Sequence, residues 1–388
     1  MSEPLTLGII GCGGMAGAHV NGMRILWEAG LRDFRVVATC DLDESAASRM
    51  ADTLAEIQGS RPTVYTDVGG MLTGEKGLAA VDICTVHRAH HLVAIPCLQA
   101  GKHVTIEKPL AITMRAGRAI LEAAERAGTV LQVAENYRRD PTMRAARWAV
   151  RSGRIGQVRM VYWVDVGERI WYWTWREHRA EAGGGWPLDG GVHFADLFRF
   201  LVGEVREVYC EVRSYFPTRF RDPDHRADPV EVDVEDTTVA TLRFEGEALG
   251  QWTSTSAAPG IGFSEQVVYG SEGCLHLRQG LKRTDMAEPL SLAELTSEYQ
   301  AALGEEERER LFPRGVTEAV ATELWEFVQA CRKGTPVETD GWEGYRSEAI
   351  CLALYESHAL HAPVAVRDVE ELRLEAYQRD LNEALGLG

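Results

Sequence analysis

Through the first 135 residues, short apolar runs alternate with longer segments whose apolar positions recur at helical spacing. Leu5–Ile10 is an apolar run that enters glycines, and residues 15–29 read as a helix. Phe34–Cys40 is β-branched and apolar and stops at Asp41, after which Glu44–Gln58 has helical composition. The run at 81–86 is followed by a helix around 92–100, a short extended segment at 103–106, a helix at 115–127 and a last apolar run at 129–134. Apolar strands alternating with helices of about ten or more residues predict a parallel sheet covered on both faces.

After residue 136 the pattern changes. A helix is predicted at 142–152, broken by Gly153 and Gly156. Runs at 158–166, 205–216, 237–244, 248–255, 265–269 and 274–277 then alternate in polarity and are separated by turn residues. That grammar predicts a mainly antiparallel sheet with one face toward solvent or a partner. The charged, proline-rich stretch 217–234 reads as a surface loop, and the polar stretch 285–315 as a surface excursion. Two helices, near 318–332 and 345–361, precede a polar tail.

The composition is that of an ordinary globular protein, with 388 residues, 45% apolar and 26% charged. A net charge of −17 disfavours nucleic acid and anionic membranes as partners. The chain has no long apolar run and no basic region ahead of its first one, so neither a transmembrane span nor a secretory signal is expected. Its eight cysteines form no C-x-x-C pair and read as free thiols in a reducing cytoplasm. His87, His90 and His91 cluster without matching carboxylates or cysteines, so no metal site is expected there.

Leu5–Ile10 leads into Gly11-Cys12-Gly13-Gly14-Met15-Ala16, a G-x-G-x-x-A pattern opening a helix. Gly11 permits a tight turn, Gly13 lets the backbone approach a pyrophosphate, and Ala16 allows close helix–strand packing. Gly14 and Met15 lie at the helix N-terminus, whose free N–H groups and dipole attract phosphate. Asp41, at the end of the second strand, is placed for an adenine-ribose diol and would repel a 2′-phosphate. This favours NAD over NADP.

Two further constellations stand out. Glu107-Lys108-Pro109 ends the strand at 103–106, and the carboxyl edge of a parallel sheet is where ligands bind. Pro109 restrains Lys108 to an extended conformation or allows a cis bond. Downstream, three glycines (183–185) precede Asp189 and His193, whose four-residue spacing puts both on one side if a helix begins near Asp189. Taken separately, each is equally compatible with a surface ion pair, or with a helix cap and a core histidine. Trp171, Trp173 and Trp175 alternate ahead of Arg176 and Arg179. Such rings could stack on sugar C–H faces, or could serve sheet packing or a subunit interface.

The order of G-x-G-x-x-A, E-K-P and G-G-G-x-x-x-D-x-G-x-H-x-x-D resembles the Gfo/Idh/MocA oxidoreductases over nearly the whole chain. Asn136-Tyr137-Arg138 and the segment at 353–357 extend the likeness. The resemblance implies an α/β Rossmann NAD(P)-binding domain at 1–135, an α+β domain with a large open antiparallel sheet at 136–365, and a tail at 366–388. The helices near 318–361 are expected to pack back toward the first domain. It implies hydride transfer between nicotinamide and a secondary alcohol or ketone of a sugar, cyclitol or sugar derivative. Lys108, Asp189 and His193 become the catalytic set. Thr85, His87, His91, Glu107, Lys108 and Asn136 join Gly11, Gly13, Gly14, Met15, Ala16 and Asp41 around the cofactor. Tyr137, Arg138, Trp175 and Arg176, with Lys108, Asp189 and His193, would line the substrate. His87 stands where relatives commonly carry proline, which makes cofactor contacts there atypical.

His193 suits a general base because an imidazole titrates near neutral pH, Asp189 could orient it, and Lys108 could stabilise developing alkoxide. Which of Lys108 and His193 takes the proton is open. Two alternatives accompany this reading: an NAD-dependent glycosidase working through transient oxidation, and a non-catalytic NAD-binding protein. An open sheet needs covering, so a homodimer or homotetramer joined through the second domain is expected.

Overall fold

A computed structural model describes residues 3–388, which divide into two compact units. The first comprises the chain up to Ala111, Ala116–Asp140 and Gly304–Tyr345, and the second comprises Ile112–Arg115, Pro141–Leu303 and Arg346–Gly388.

The first unit is a six-stranded sheet of β1 (Leu5–Ile10), β2 (Phe34–Cys40), β3 (Thr63–Tyr65), β4 (Ala80–Ile83), β5 (His103–Glu107) and β6 (Leu131–Ala134). All neighbours are parallel, in the order β3-β2-β1-β4-β5-β6. Its central strands are buried on both sides, which is why β1 and β4 read as continuous apolar runs rather than alternating ones. On one face the helices Gly14–Glu28 and Ala319–Lys333 share a core of Leu7, Ile9, Val20, Met23, Leu324 and Phe327. They approach closely because Gly22 lacks a side chain, and a Cβ there would lie 3.1 Å from the Ala321 backbone nitrogen. No sequence signal marked β3. It is three residues long and pairs only with β2, too short for a period to show.

In the second unit, the large sheet contains β7 (Val158–Val166), β8 (Val205–Arg213), β11 (Thr237–Phe244), β12 (Leu249–Thr255), β13 (Phe263–Gly270), β14 (Gly273–His276), β15 (Gly280–Arg283) and β16 (Val364–Ala365). The order is β15-β14-β13-β7-β12-β11-β8-β16, antiparallel throughout except for β7 beside β12. Trp163 and Trp252 are register partners on its inner face. Phe198 of the helix Val192–Leu201 meets them edge-on at 5.2 and 5.4 Å between ring centroids. Edge-to-face pairs add roughly 0.5–1.5 kcal/mol each beyond burial, so this cluster locks the helix to the sheet.

Two expectations need correction. The stretch 217–234 is not a plain loop: β9 (Thr218–Asp222) and β10 (Ala227–Glu231) pair as an antiparallel hairpin. The polar stretch 285–315 holds the helices Leu292–Ala302 and Glu305–Leu311. The first buries Leu295 and Tyr299 and stacks Tyr299 against Trp148, 6.0 Å between centroids. The tail is also ordered, with helices Val366–Glu370 and Arg379–Ala384 and buried Gln378 and Asn382. All eight cysteines are free, and among the described residues no helix is long and apolar enough to cross a membrane.

Candidate active site

The glycine loop follows β1 directly. Gly11 has φ +86°, and a Cβ there would lie 2.7 Å from the carbonyl carbon and oxygen of Cys84, the residue after β4. Only glycine fits that turn. Gly13 caps the helix Gly14–Glu28 with no side-chain bond to its free N–H groups, and a Cβ at Gly13 or Gly14 would meet no atom within 4 Å. The helix end is therefore bare and open, as a phosphate site requires. Asp41 is fixed against this loop: its Oδ2 accepts from the Cys12 amide at 2.6 Å and its Oδ1 from the Asp43 amide at 2.9 Å.

Thr85 Oγ1, His91 Nε2 and Asn136 Oδ1 are buried polar atoms with no hydrogen-bond partner among the described residues. Unpartnered buried groups are costly, at about 1–3 kcal/mol each. Three of them among the residues expected around the cofactor, beside an uncapped helix end, fit a dinucleotide. His87 is buried against His90, while the ring nitrogens of His90 face the carbonyls of Pro109 at 2.8 Å and Thr85 at 3.3 Å. Burial lowers the pKa of both His90 and His91, favouring neutral rings.

Glu107 is the last residue of β5 and Lys108 follows it, at the same carboxyl edge as the glycine loop, with a cis Lys108–Pro109 peptide. The first-unit residue that sequence reasoning missed is His19. It is fully buried in the helix Gly14–Glu28, with Nδ1 2.9 Å from Asp82 and Nε2 3.0 Å from Glu107. Its only sequence signal was a histidine on an otherwise apolar helix face.

Tyr137 is 42% exposed, whereas Arg138 is buried, with its guanidinium 3.4 Å from Glu343.

Asp189 and His193 do not share one helix, contrary to the spacing argument. Asp189 ends the short helix Trp186–Asp189, and His193 is the second residue of Val192–Leu201. Gly190 and Gly191 separate the two helices, and a Cβ there would strike the Trp186 ring at 2.5 Å and the Trp252 ring at 2.6 Å respectively. Both Asp189 and His193 are buried, and Asp189 Oδ1 receives Arg176 Nε at 3.2 Å. Arg176 in turn lies over the Trp173 and Trp175 rings at 4.7 and 4.4 Å, so these tryptophans brace an ion pair.

The glycines at 183–185 thread a crowded channel. Glu235 accepts from the Gly185 amide at 3.0 Å and the Tyr355 hydroxyl at 2.7 Å, and Tyr377 donates to the Gly183 carbonyl at 2.8 Å. Burial pushes the Glu235 carboxyl up to about 7. The tail residue Tyr377 thus helps to set the turn that carries Asp189. Nearby, within the second unit, a cavity of about 540 Å³ is lined by Trp186, Phe194, Phe263, Asp165, Ser254 and Ser264 among others. Its size suits a small molecule, and its lining offers ring faces beside hydroxyl and carboxylate groups.

Residues 5–135 match the family model described as an oxidoreductase family with an NAD-binding Rossmann fold. Residues 143–276 match the model of the GFO/IDH/MocA C-terminal domain. A 1,5-anhydro-D-fructose reductase of Ensifer adhaerens is 32% identical over 209 residues, 53% of this chain and 58% of that protein, so just over half of the relative is spanned. Inositol 2-dehydrogenase 2 of Saccharopolyspora erythraea is 28% identical over 375 residues, covering 93% of this chain and 96% of that one. Among solved structures, an oxidoreductase domain protein from Kribbella flavida superposes with a TM-score of 0.75 at 26% identity, covering 94% of this chain and all of that one.

Proposed function

Because the chain belongs to the Gfo/Idh/MocA oxidoreductases, with an NAD-binding Rossmann domain at its start, we propose that it transfers hydride between NAD and a secondary alcohol or ketone of a sugar, cyclitol or sugar derivative. The observation that carries this reading is Lys108, a lysine set directly after β5 at the ligand-binding edge of a sheet whose first loop is bare and glycine-rich. The relatives named above, a reductase of anhydrofructose and a dehydrogenase of inositol, set the substrate class. The cavity with Trp186, Phe263 and several hydroxyl side chains suits a polyhydroxylated ligand.

NAD supplies the hydride acceptor. Within the chain, the N–H groups at Gly13 to Ala16 receive the pyrophosphate and the Asp41 carboxylate receives the ribose diol; the same carboxylate disfavours NADP. Thr85, His87, His91, Glu107 and Asn136 complete the nucleotide contacts. Lys108 donates to the reacting oxygen and stabilises alkoxide as it forms. His193 takes up or returns the hydroxyl proton. Asp189, held by Arg176, sets the charge beside that histidine. Tyr137, Arg138, Trp175 and Arg176 frame the substrate.

The exposed sheet face carries Met160, Tyr209, Val239, Leu249 and Tyr269, each more than two-fifths exposed, and it is covered by a second copy in a homodimer or homotetramer. Free cysteines throughout suit a cytoplasmic setting. The test is NAD reduction over a panel of sugars and cyclitols, with Lys108→Ala alongside. An accepted substrate whose turnover falls about 10²-fold or more in Lys108→Ala supports the assignment. Near-normal turnover in that variant removes Lys108 from the chemistry.

A further inference from the structure

We propose that His19 is a positioning residue: as a permanent imidazolium it clamps Glu107 to Asp82 and so fixes the Glu107-Lys108-Pro109 turn for the reaction. This inference rests on the reading of Lys108 given above. Glu107 immediately precedes Lys108, so whatever holds its carboxylate also holds the base of the lysine side chain.

The geometry argues the charge state directly. Nδ1 lies 2.9 and 3.1 Å from the two Asp82 oxygens, and Nε2 lies 3.0 Å from Glu107 Oε1. With both carboxylates ionised, each can only accept, so the ring donates from both nitrogens, and a ring with two N–H groups is an imidazolium. Neutral histidine, with one donor, would leave one lone pair facing a buried carboxylate.

Among the groups that bear on His19 are Asp82 and Cys84 from the β4 end, Glu107 from β5 and Glu323 from the helix Ala319–Lys333. Burial works against the charge on His19, but Asp82 first and then Cys84 outweigh it and hold the ring well above its ordinary range. Burial pushes the Glu323 carboxyl well up, toward its neutral form. A neutral histidine has one N–H and satisfies only one of the two carboxylates, so fixing the turn needs this residue in its charged state.

The Asp82→Asn variant keeps the shape and removes the partner that keeps His19 charged. The full-length protein is labelled with ¹⁵N-histidine and the His19 ring signals are assigned by comparison with His19→Gln. In the wild type both ring nitrogens stay protonated well above the ordinary histidine range, while in Asp82→Asn the ring loses a proton at lower pH. Turnover of Asp82→Asn falls about ten- to a hundredfold at alkaline pH and recovers toward lower pH, a limb absent from the wild type, with little change in KM for NAD. A neutral His19 in the wild-type spectrum overturns the inference, even should the variant fail to fold. So does an Asp82→Asn pH profile matching the wild type when Lys108→Ala has lost its turnover. Turnover retained by Lys108→Ala instead overturns the underlying reading of the lysine.

Discussion

Gly11 and Gly13 sit two residues apart in one loop and answer to different constraints. At Gly11 a Cβ collides with the Cys84 carbonyl and φ is +86°. Gly11→Ala should therefore lose about 1–3 kcal/mol of stability as well as NAD affinity. Gly13 has an ordinary φ of −86° and open space where its Cβ would stand. Gly13→Ala should keep its thermal midpoint yet weaken NAD binding about tenfold or more, measured by calorimetric titration. Equal loss of stability in both variants would show that Gly13 serves the fold rather than a phosphate. The places of Gly11, Asp41 and Lys108 directly after strands were legible in the sequence. His19 and Glu235 were not. Their meaning comes from partners 63 to 120 residues away, Asp82 and Glu107 in one case and Tyr355 in the other, and a single sequence carries no sign of such pairings.

At the level of elements, five of the six parallel strands were readable as apolar runs, and most helices between them by period and glycine punctuation, whereas β3 and the helix Val68–Gly74 were not. The helix Leu292–Ala302 was overlooked although Ser291 and Glu294 form a capping box, a signal that the surrounding polarity obscured. The Asp189 turn escaped the spacing rule because Gly190 and Gly191 admit the Trp186 and Trp252 rings where a continuous helix would have Cβ atoms. Glu235 is the element-scale control on that turn. A buried carboxyl held up to about 7 contributes stability that is complete below its unfolded value of about 4.5 and is lost as pH rises through about 7. The thermal midpoint should thus fall between about pH 4.5 and about pH 7, and fall less in Glu235→Gln. An identical fall in both proteins would place the titrating group elsewhere.

At the scale of the whole molecule, the strand grammar separated an α/β half from an α+β half. The helix Ala319–Lys333, late in the chain, belongs with the first unit through Gly22 and the Leu324–Phe327 core, a long-range association that period alone does not report. The uncovered sheet face makes a further claim. Replacing Val239 and Leu249, 48% and 51% exposed, with lysine should shift the protein to a smaller species in sedimentation. A wild type already monomeric at micromolar concentration would contradict it.

The most direct measurement is isotopic. An accepted sugar or cyclitol carrying deuterium on the carbinol carbon should yield NADH bearing that deuterium on its nicotinamide ring, with slowed turnover when chemistry limits the rate. Turnover that leaves all the label in the sugar product, with no net NADH, would contradict the assignment of this protein as a dehydrogenase.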